Sequence, residues 1–202
     1  MIVIVNYGMG NLGSLLNMFR RVGVSARIES EPGRIREARK IVLPGVGAFD
    51  AAMRRIANLP DLRHVLDRKA LVEQVPILGV CLGMQLLTRG SEEGRLPGLG
   101  WIPADARRFP SAPGLKVPHM GWNIASPTTP SPLTRDLRAE PRFYFVHSYC
   151  VTVDDPVHSI MRTTHGVSFD SAIQRGWIFG VQFHPEKSHK FGMQLLKNFA
   201  EL

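Results

Sequence analysis

The sequence predicts an α/β fold on a mostly parallel sheet, because short apolar runs alternate with amphipathic helical segments through the first half of the chain. In the second half, β-rich runs follow one another closely without helices between them, which is typical of antiparallel hairpins. The expected fold class is a doubly wound sheet with additional antiparallel strands in the C-terminal half.

Each element follows from a local pattern. Apolar runs predict strands at residues 2–5, 26–28, 41–43 and 77–80, and apolar residues at helical spacing predict helices at residues 11–22, before 41, at 48–57, 62–73 and 81–89. Frequent proline and glycine at residues 96–133 indicate loops and short antiparallel strands. The last strands are expected at 142–146, 159–163, 168–174 and 178–181, before a helix from residue 189. This order is flavodoxin-like, with one domain over residues 1–202.

Composition argues against several classes of protein. Hydrophobic residues make up 44% and charged residues 21% of the chain, as in ordinary folded proteins. No apolar run approaches the roughly 18 residues that cross a bilayer, and the net charge of +8 comes from scattered Lys and Arg. Two cysteines, Cys81 and Cys150, allow no disulfide framework and no four-cysteine zinc site. We expect a cytoplasmic protein with no metal or cofactor that binds neither nucleic acid nor membranes.

Cys81 is the first candidate for chemistry. It lies in Gly79-Val80-Cys81-Leu82-Gly83, between a predicted strand and a predicted helix. This is the nucleophile-elbow pattern with cysteine in place of serine, in which small residues on either side permit a tight turn that exposes the nucleophile. A buried structural cysteine beside packing glycines is the alternative. Cys150 is expected to pack within a strand.

His184 and Glu186 form the second candidate. They follow the strand predicted at residues 178–181, and residues i and i+2 of an extended segment point to the same side. Pro185, between them, disfavours helical geometry at His184. A histidine that exchanges protons with a thiol needs a carboxylate to orient it. A strand-ending turn with a surface carboxylate is the alternative for this motif alone.

A glycine loop provides the third candidate. Gly45, Val46 and Gly47 follow another predicted strand, and such a loop can turn its amides toward an oxyanion, with the Leu82 amide as second donor. A plain turn is the alternative. All three motifs fall at carboxyl ends of strands, on one edge of the sheet, which favours a joint catalytic site.

A competing motif, Gly8-Met9-Gly10-Asn11-Leu12-Gly13, follows the first strand and opens a helix. With Glu29 and Glu31 near the second strand, it matches the context of a dinucleotide-binding fingerprint and would indicate an NAD-dependent oxidoreductase. That hypothesis leaves the cysteine elbow and His184 without a role. A glycine-rich turn for close helix packing or for a protein contact is the favoured explanation.

Six short motifs in order along the chain resemble the class I, triad-type glutamine amidotransferases, and within them the glutaminase subunits of imidazole glycerol phosphate synthase. They are Asn6-Tyr7-Gly8-Met9-Gly10-Asn11-Leu12, Pro44-Gly45-Val46-Gly47, Gly79-Val80-Cys81-Leu82-Gly83-Met84-Gln85, Val117-Pro118-His119-Met120-Gly121-Trp122-Asn123, Phe143-Tyr144-Phe145-Val146-His147-Ser148-Tyr149 and Phe183-His184-Pro185-Glu186-Lys187-Ser188.

The resemblance implies that Cys81, His184 and Glu186 form a catalytic triad that releases ammonia from L-glutamine. It further implies a glutamine pocket, a heterodimer with a (β/α)₈-barrel cyclase subunit in histidine biosynthesis, and ammonia channelling to that subunit. The implied pocket residues are Gly47, Gln85, His147, Ser148 and Tyr149. The implied partner-interface residues are Asn11, Met120, Trp122, Asn123, Tyr144 and Lys187.

Two positions are noteworthy within the resemblance. Asn6 stands where many relatives have Asp, and Val46 stands in the oxyanion loop where other amidotransferases have glycine. Val46 leads us to expect weak glutaminase activity in the isolated chain and stimulation by the partner. A paralogous subunit that supplies ammonia for sugar amidation, a Cys–His hydrolase or peptidase, and a catalytically silent module remain as alternatives.

Overall fold

The computed structural model describes residues 1–202 and contains twelve strands and six α-helices. In the first half the order is β1 (Ile2–Val5), α1 (Leu12–Arg21), β2 (Ala26–Glu29), α2 (Pro32–Ile35), β3 (Lys40–Gly45), α3 (Phe49–Asn58), α4 (Leu62–Asp67), β4 (Ile77–Cys81) and α5 (Leu82–Leu86). In the second half it is β5 (Ala104–Arg108), β6 (His119–Ile124), β7 (Ser126–Pro127), β8 (Arg142–His147), β9 (Tyr149–Val153), β10 (Ser159–His165), β11 (Val167–Arg175), β12 (Ile178–Val181) and α6 (His189–Glu201).

The main sheet has a parallel part and an antiparallel part. Strands β2, β1, β3, β4 and β12 lie side by side in parallel. Beyond β12 the pairing becomes antiparallel through β11, β10 and β7, while β9 joins β11 and carries β5. Strands β6 and β8 form a separate antiparallel pair, called the ribbon below. The predicted fold class, a parallel α/β sheet with antiparallel additions, is confirmed.

Helices cover both faces of the parallel strands, as the alternation of buried side chains requires. Val3 and Val5 of β1 face a core that α3 and α4 complete, whereas Ile2 and Ile4 face a second core completed by α1 and α6. Because helices cover both faces of the parallel strands, a site on this sheet is expected at the carboxyl ends of the strands, where the connecting loops begin. No helix has both the length and the apolar character needed to cross a membrane.

Three elements differ from the sequence-based expectations. The helix after Cys81 ends at Leu86, and not near residue 89, because the returning chain donates the amides of Leu99 and Trp101 to the carbonyls of Leu86 and Leu87. The helix predicted over residues 62–73 continues beyond α4 as a π-helical segment, Arg68–Val72. Strand β9 was missing from the predicted strand bounds, because only Ser148 separates it from β8, although Cys150 was expected to pack within a strand and does so in β9.

Candidate active site

Cys81 occupies a strained turn between β4 and α5. Its φ of +56° lies in a region that non-glycine residues rarely adopt, and such strain typifies a nucleophile elbow. A side chain at Gly83 would overlap the Leu43 carbonyl, and a Cβ at Gly79 would lie 2.6 Å from the Gly83 oxygen. The two glycines predicted to permit the turn therefore do so by allowing the helix to touch its neighbouring strands.

His184 and Glu186 lie together at the end of β12. The His184 Nδ1 atom is 2.8 Å from Glu186 Oε1, and these side chains are only 3% and 1% exposed. The His184 backbone N–H donates to Tyr144 O at 2.9 Å, and the Ser188 hydroxyl donates to His184 O at 2.6 Å. The expected i, i+2 pairing is present, and two hydrogen bonds hold the His184 backbone in place, one through its N–H and one through its carbonyl.

The environment of His184 favours its protonated form. Burial acts against the charge, but the interactions with Cys81 and Glu186 outweigh it and raise the pKa of His184 to about 10. Cys81 is the largest of the influences that raise this pKa, although no atom lies within hydrogen-bonding distance of His184 Nε2. Polar neighbours of the Cys81 sulfur are Gln182 Nε2 at 3.8 Å and Val146 O at 4.0 Å.

The predicted oxyanion loop lies beside the elbow. Gly45 is paired with Cys81 across β3 and β4, and a Cβ at Gly45 would be 2.9 Å from Leu82 Cβ. The buried Tyr7 hydroxyl donates to Pro44 O at 2.6 Å, which fixes the peptide that enters the loop. Gly45 is buried below the surface, whereas Val46, Gly47 and Leu82 line the cavity described next.

A cavity of about 570 Å³ opens over Cys81 and His184. All five residues that the resemblance implied for the glutamine pocket line it, namely Gly47, Gln85, His147, Ser148 and Tyr149. The structure thus brings the candidate nucleophile, the candidate base and the implied pocket residues to a single space. Glu186 lies behind His184 and does not line it.

Glu93 is a site residue that the sequence motifs did not reveal. Its carboxylate accepts a hydrogen bond from the Phe49 backbone N–H at 2.9 Å, which holds the side chain at the cavity wall. It is the only carboxylate that lines the cavity. The neighbouring Glu92 has the same side chain, so no local pattern distinguished Glu93; only the fold shows which of the two faces the cavity.

Of the residues implied for partner binding, Lys187 lines the cavity, and Met120 pairs with the cavity residue Val146. Met120 and Trp122 are 63% and 48% exposed on the ribbon, and Trp122 packs edge-on against Tyr144. Lys187 Nζ lies 5.5 Å above the Tyr144 ring and also lines the cavity. Asn11 precedes α1, which contacts the turn Pro185–Lys187. Asn123 is half-buried and hydrogen-bonded within the protein.

The glycine-rich turn after β1 packs against the site. A Cβ at Gly10 would lie 2.9 Å from Pro44 Cβ, and Arg55 donates to Gly8 O at 3.0 Å. The Asn6 amide oxygen accepts the Gly8 N–H at 3.0 Å, so Asn6 stabilises the turn itself. Close packing on Pro44 and a positive φ explain Gly10 without a dinucleotide, and a positive φ explains Gly8, whereas a Cβ at Gly13 would have no atom within 4 Å.

Known proteins resemble this chain along its whole length. The family described as glutamine amidotransferase class-I matches residues 3–202. Imidazole glycerol phosphate synthase subunit HisH 2 of Pseudomonas aeruginosa is 48% identical over 202 residues, which is 100% of both chains. The protein of the same name from Methanococcus maripaludis is 48% identical over 201 residues, which is 100% of this chain and 99% of that protein.

A solved structure of low sequence identity shares the fold. The crystal structure of a glutamine amidotransferase from Thermotoga maritima superposes with a TM-score of 0.65 at 18% identity. The match covers 99% of this chain and 82% of that chain.

Proposed function

The chain belongs to the class I glutamine amidotransferases, and we propose that it is the glutaminase subunit of an imidazole glycerol phosphate synthase. In this proposal it hydrolyses L-glutamine and supplies ammonia to a cyclase subunit of histidine biosynthesis, in a cytoplasmic heterodimer. The relatives named for that subunit match the chain from end to end, which supports the assignment. The observation that carries the chemistry is the single cavity that joins the strained Cys81 to the buried pair of His184 and Glu186.

The first half-reaction forms a covalent intermediate. The Cys81 thiol gives its proton to His184 Nε2, and the sulfur attacks the carbon of the glutamine carboxamide. The carbonyl oxygen becomes an oxyanion, which the amides of Leu82 and of the loop at residues 45–47 stabilise. Collapse of this intermediate breaks the carbon–nitrogen bond while His184 returns the proton to the nitrogen. Ammonia leaves, and the γ-glutamyl group remains on Cys81 as a thioester.

The second half-reaction regenerates the enzyme. A water molecule gives a proton to His184 and attacks the thioester carbon, and the sulfur leaves and takes that proton back as a thiol. Glutamate is the second product. Throughout both halves Glu186 holds the imidazole in place, because its carboxylate accepts a hydrogen bond from the Nδ1–H group, which keeps its proton. The pKa of His184, raised to about 10, favours the imidazolium that each half-reaction passes through.

The cavity offers groups that suit the amino-acid end of glutamine. Glu93 presents a carboxylate for the α-ammonium group, and Lys187 presents an ammonium group for the α-carboxylate. Gln85, His147, Ser148 and Tyr149 complete the polar wall. We propose that these contacts select a free amino acid over a peptide, which separates this site from that of a cysteine peptidase.

The partner is proposed to bind at the cavity mouth. Exposed aromatic and sulfur-containing side chains are typical of binding surfaces, and Met120 and Trp122 provide them beside Tyr144 and Lys187. Asn11 and Asn123 complete the proposed interface with a (β/α)₈-barrel cyclase subunit. Ammonia released at Cys81 then enters the partner without crossing bulk water.

Val46 is proposed to make full activity depend on the partner. Its side chain is 41% exposed at the cavity, on the loop that has to supply an oxyanion donor. Partner binding at the adjoining surface would turn that loop amide toward the oxyanion. The isolated chain is then a slow glutaminase, and the complex with the cyclase and its nucleotide ligand is a fast one.

The test is glutamate release from glutamine by the chain alone and mixed with the barrel cyclase of the histidine pathway, with and without its ligand. We expect strong stimulation by partner and ligand together, and no turnover in Cys81→Ala. Equal turnover with and without the cyclase would contradict the partner assignment. Stimulation only by a sugar-amidating partner would indicate the paralogous polysaccharide pathway instead.

A further inference from the structure

We propose that Gln182 is a further catalytic residue, which donates a side-chain hydrogen bond to the sulfur of Cys81 and so stabilises the attacking nucleophile. The inference rests on the proposed function in one respect, namely that Cys81 is the nucleophile. It assigns a role to a buried amide beside Cys81 that the reaction steps above leave unused.

Gln182 lies between the end of β12 and His184 and is completely buried. Its backbone N–H donates to Ser171 O at 2.9 Å, which anchors it to β11. Its side-chain Nε2 lies 3.8 Å from Cys81 Sγ, within the range of a hydrogen bond to sulfur. Its Oε1 accepts from Gln85 Nε2 at 3.1 Å. The amide thus bridges the two residues of the elbow region.

The orientation of this amide decides its effect on Cys81. Gln85 Nε2 lies 3.3 Å from Tyr149 O and 3.1 Å from Gln182 Oε1. A backbone carbonyl only accepts hydrogen bonds, so the nitrogen of Gln85 must face Tyr149. The second hydrogen of that nitrogen then requires an oxygen from Gln182. Consequently the N–H group of Gln182, and not its oxygen, points at the sulfur.

His147 contacts the same Tyr149 carbonyl oxygen from the other side. Its Nδ1 lies 2.7 Å from that carbonyl and therefore carries a proton. Burial lowers the pKa of His147 to about 3, so the ring is neutral and its Nε2 is an acceptor. That acceptor meets Nδ1 of His119 at 2.9 Å, which makes His119 Nδ1 a donor.

The chain of hydrogen bonds continues to Asn123 on the ribbon, and each group in it donates toward Tyr149 O. His119 Nε2 accepts from Asn123 Nδ2 at 3.2 Å, and the same nitrogen of Asn123 donates to Thr164 O at 3.0 Å. The Asn123 oxygen accepts the Ile124 backbone N–H at 2.8 Å, which independently fixes that amide. The donor and acceptor roles from Asn123 to His147 are therefore fixed, and they end on Tyr149 O, which accepts from both His147 and Gln85; the orientation of Gln182 follows from Gln85 alone.

A donor at the sulfur favours a negative charge there. Hydrogen bonds to charged acceptors are about twice as strong as those between neutral groups, so the Gln182 N–H stabilises the thiolate more than the thiol. A reversed amide would place an oxygen against the sulfur and have the opposite effect. Gln182 thus complements His184: one residue removes the proton, and the other stabilises the sulfur that remains.

The test is alkylation of Cys81 by iodoacetamide in the isolated chain, with Cys150→Ala as background so that one thiol is present. Gln182→Glu keeps the size and the oxygen that faces Gln85 but places a carboxylate oxygen at the sulfur; Gln182→Met removes the donor without adding charge. We expect alkylation near neutral pH to slow about tenfold in both variants, and the midpoint of the rate-against-pH curve to move to higher pH.

Gln174→Glu is the matched control, since Gln174 donates to Gly176 O at 3.0 Å in the turn after β11. Its alkylation curve should equal that of the parent. Thermal unfolding shows which variants are folded; if Gln182→Glu does not fold, Gln182→Met alone decides the outcome.

Curves for the Gln182 variants that coincide with the parent curve within about twofold would overturn the role of Gln182. Failure of the proposed function is a separate result. Saturable labelling of Cys81 by a diazoketone analogue of glutamine tests that function in the parent chain, and its absence would count against glutamine binding whatever the alkylation curves show.

Discussion

His184 Nδ1 lies 2.8 Å from Glu186 Oε1, and both side chains are almost completely buried. Because an ionised carboxylate only accepts hydrogen bonds, the proton of a neutral His184 is held on Nδ1. Nε2 is then the atom that takes the thiol proton and, with the pKa of His184 raised to about 10, holds it in the imidazolium. This pair therefore sets the tautomer that the proposed chemistry needs.

Glu186→Gln should reduce kcat of the complex with the cyclase roughly 10²- to 10⁴-fold. The new amide N–H can donate to Nδ1, which moves the imidazole proton to Nε2 and removes the acceptor for the thiol. Steady-state glutamate release measures the loss. KM for glutamine should change little, since Glu186 does not line the cavity. A variant with wild-type kcat would contradict the assigned role.

The same variant should alter the pH dependence of stability. The pKa of folded His184 is raised from 6.5 to about 10, with Glu186 among the causes. The stabilisation from this charge is therefore complete below pH 6.5 and is lost as the pH rises toward about 10. In urea unfolding, the wild-type advantage over Glu186→Gln should shrink across that interval. An advantage that grows with pH would contradict the raised pKa.

Gly83→Ala should destabilise the fold by about 3 kcal/mol or more, because the new methyl group would overlap the Leu43 carbonyl. Gly13→Ala is the matched control, since Gly13 is also a helical glycine but a methyl group there would have no atom within 4 Å. The control should keep or gain stability, by up to about 1 kcal/mol. Thermal unfolding compares the two; equal melting temperatures would refute the proposed close contact.

Trp122→Ala should weaken binding of the barrel cyclase by about tenfold or more, as expected for an aromatic anchor of an interface. Trp177→Ala is a close control, because Trp177 is 46% exposed and Trp122 is 48% exposed. Trp177 lies next to the start of β12, at the opposite end of the sheet from the cavity. Isothermal titration should show loss of affinity in the first variant only. Equal affinities would place the partner elsewhere.

His147 should make the protein sensitive to acid. Its folded pKa is lowered from 6.5 to about 3, chiefly by burial, so below pH 6.5 the unfolded chain binds a proton that the folded protein does not. The stability that depends on an uncharged His147 is fully present above pH 6.5. It is lost as the pH falls toward about 3, by up to about 1.4 kcal/mol per pH unit. Urea unfolding of His147→Gln should show a flatter decline than wild type. An unchanged slope would argue against a neutral, buried His147.

The parts of the site that could be predicted from the sequence are those set by local geometry. The spacing of Gly79, Cys81 and Gly83 predicts a tight strand–helix turn, and the structure has that turn with φ of +56° at Cys81. The i, i+2 spacing of His184 and Glu186 likewise predicts the observed contact. Most strand positions also follow from short apolar runs.

Features set by contacts distant in sequence could not be predicted in this way. Gln182 meets Gln85 across a separation of 97 residues, and neither position has a pattern that marks a buried amide pair. Glu93 is held at the cavity wall by the backbone N–H of Phe49, 44 residues earlier in the chain. Helix α5 ends where the backbone N–H groups of Leu99 and Trp101 donate hydrogen bonds to the carbonyls of Leu86 and Leu87. No signal within the helix itself marks that end.

The most direct test of the catalytic role of Cys81 is to trap the covalent intermediate. The complex with the barrel cyclase is mixed with glutamine, quenched rapidly in acid and digested, and the peptide that contains Cys81 is analysed by mass spectrometry. We predict a γ-glutamyl thioester on Cys81 that forms and decays at rates compatible with glutamate release, and its absence in Cys81→Ala together with loss of turnover. Sustained turnover in Cys81→Ala, or an adduct on another residue, would contradict that role.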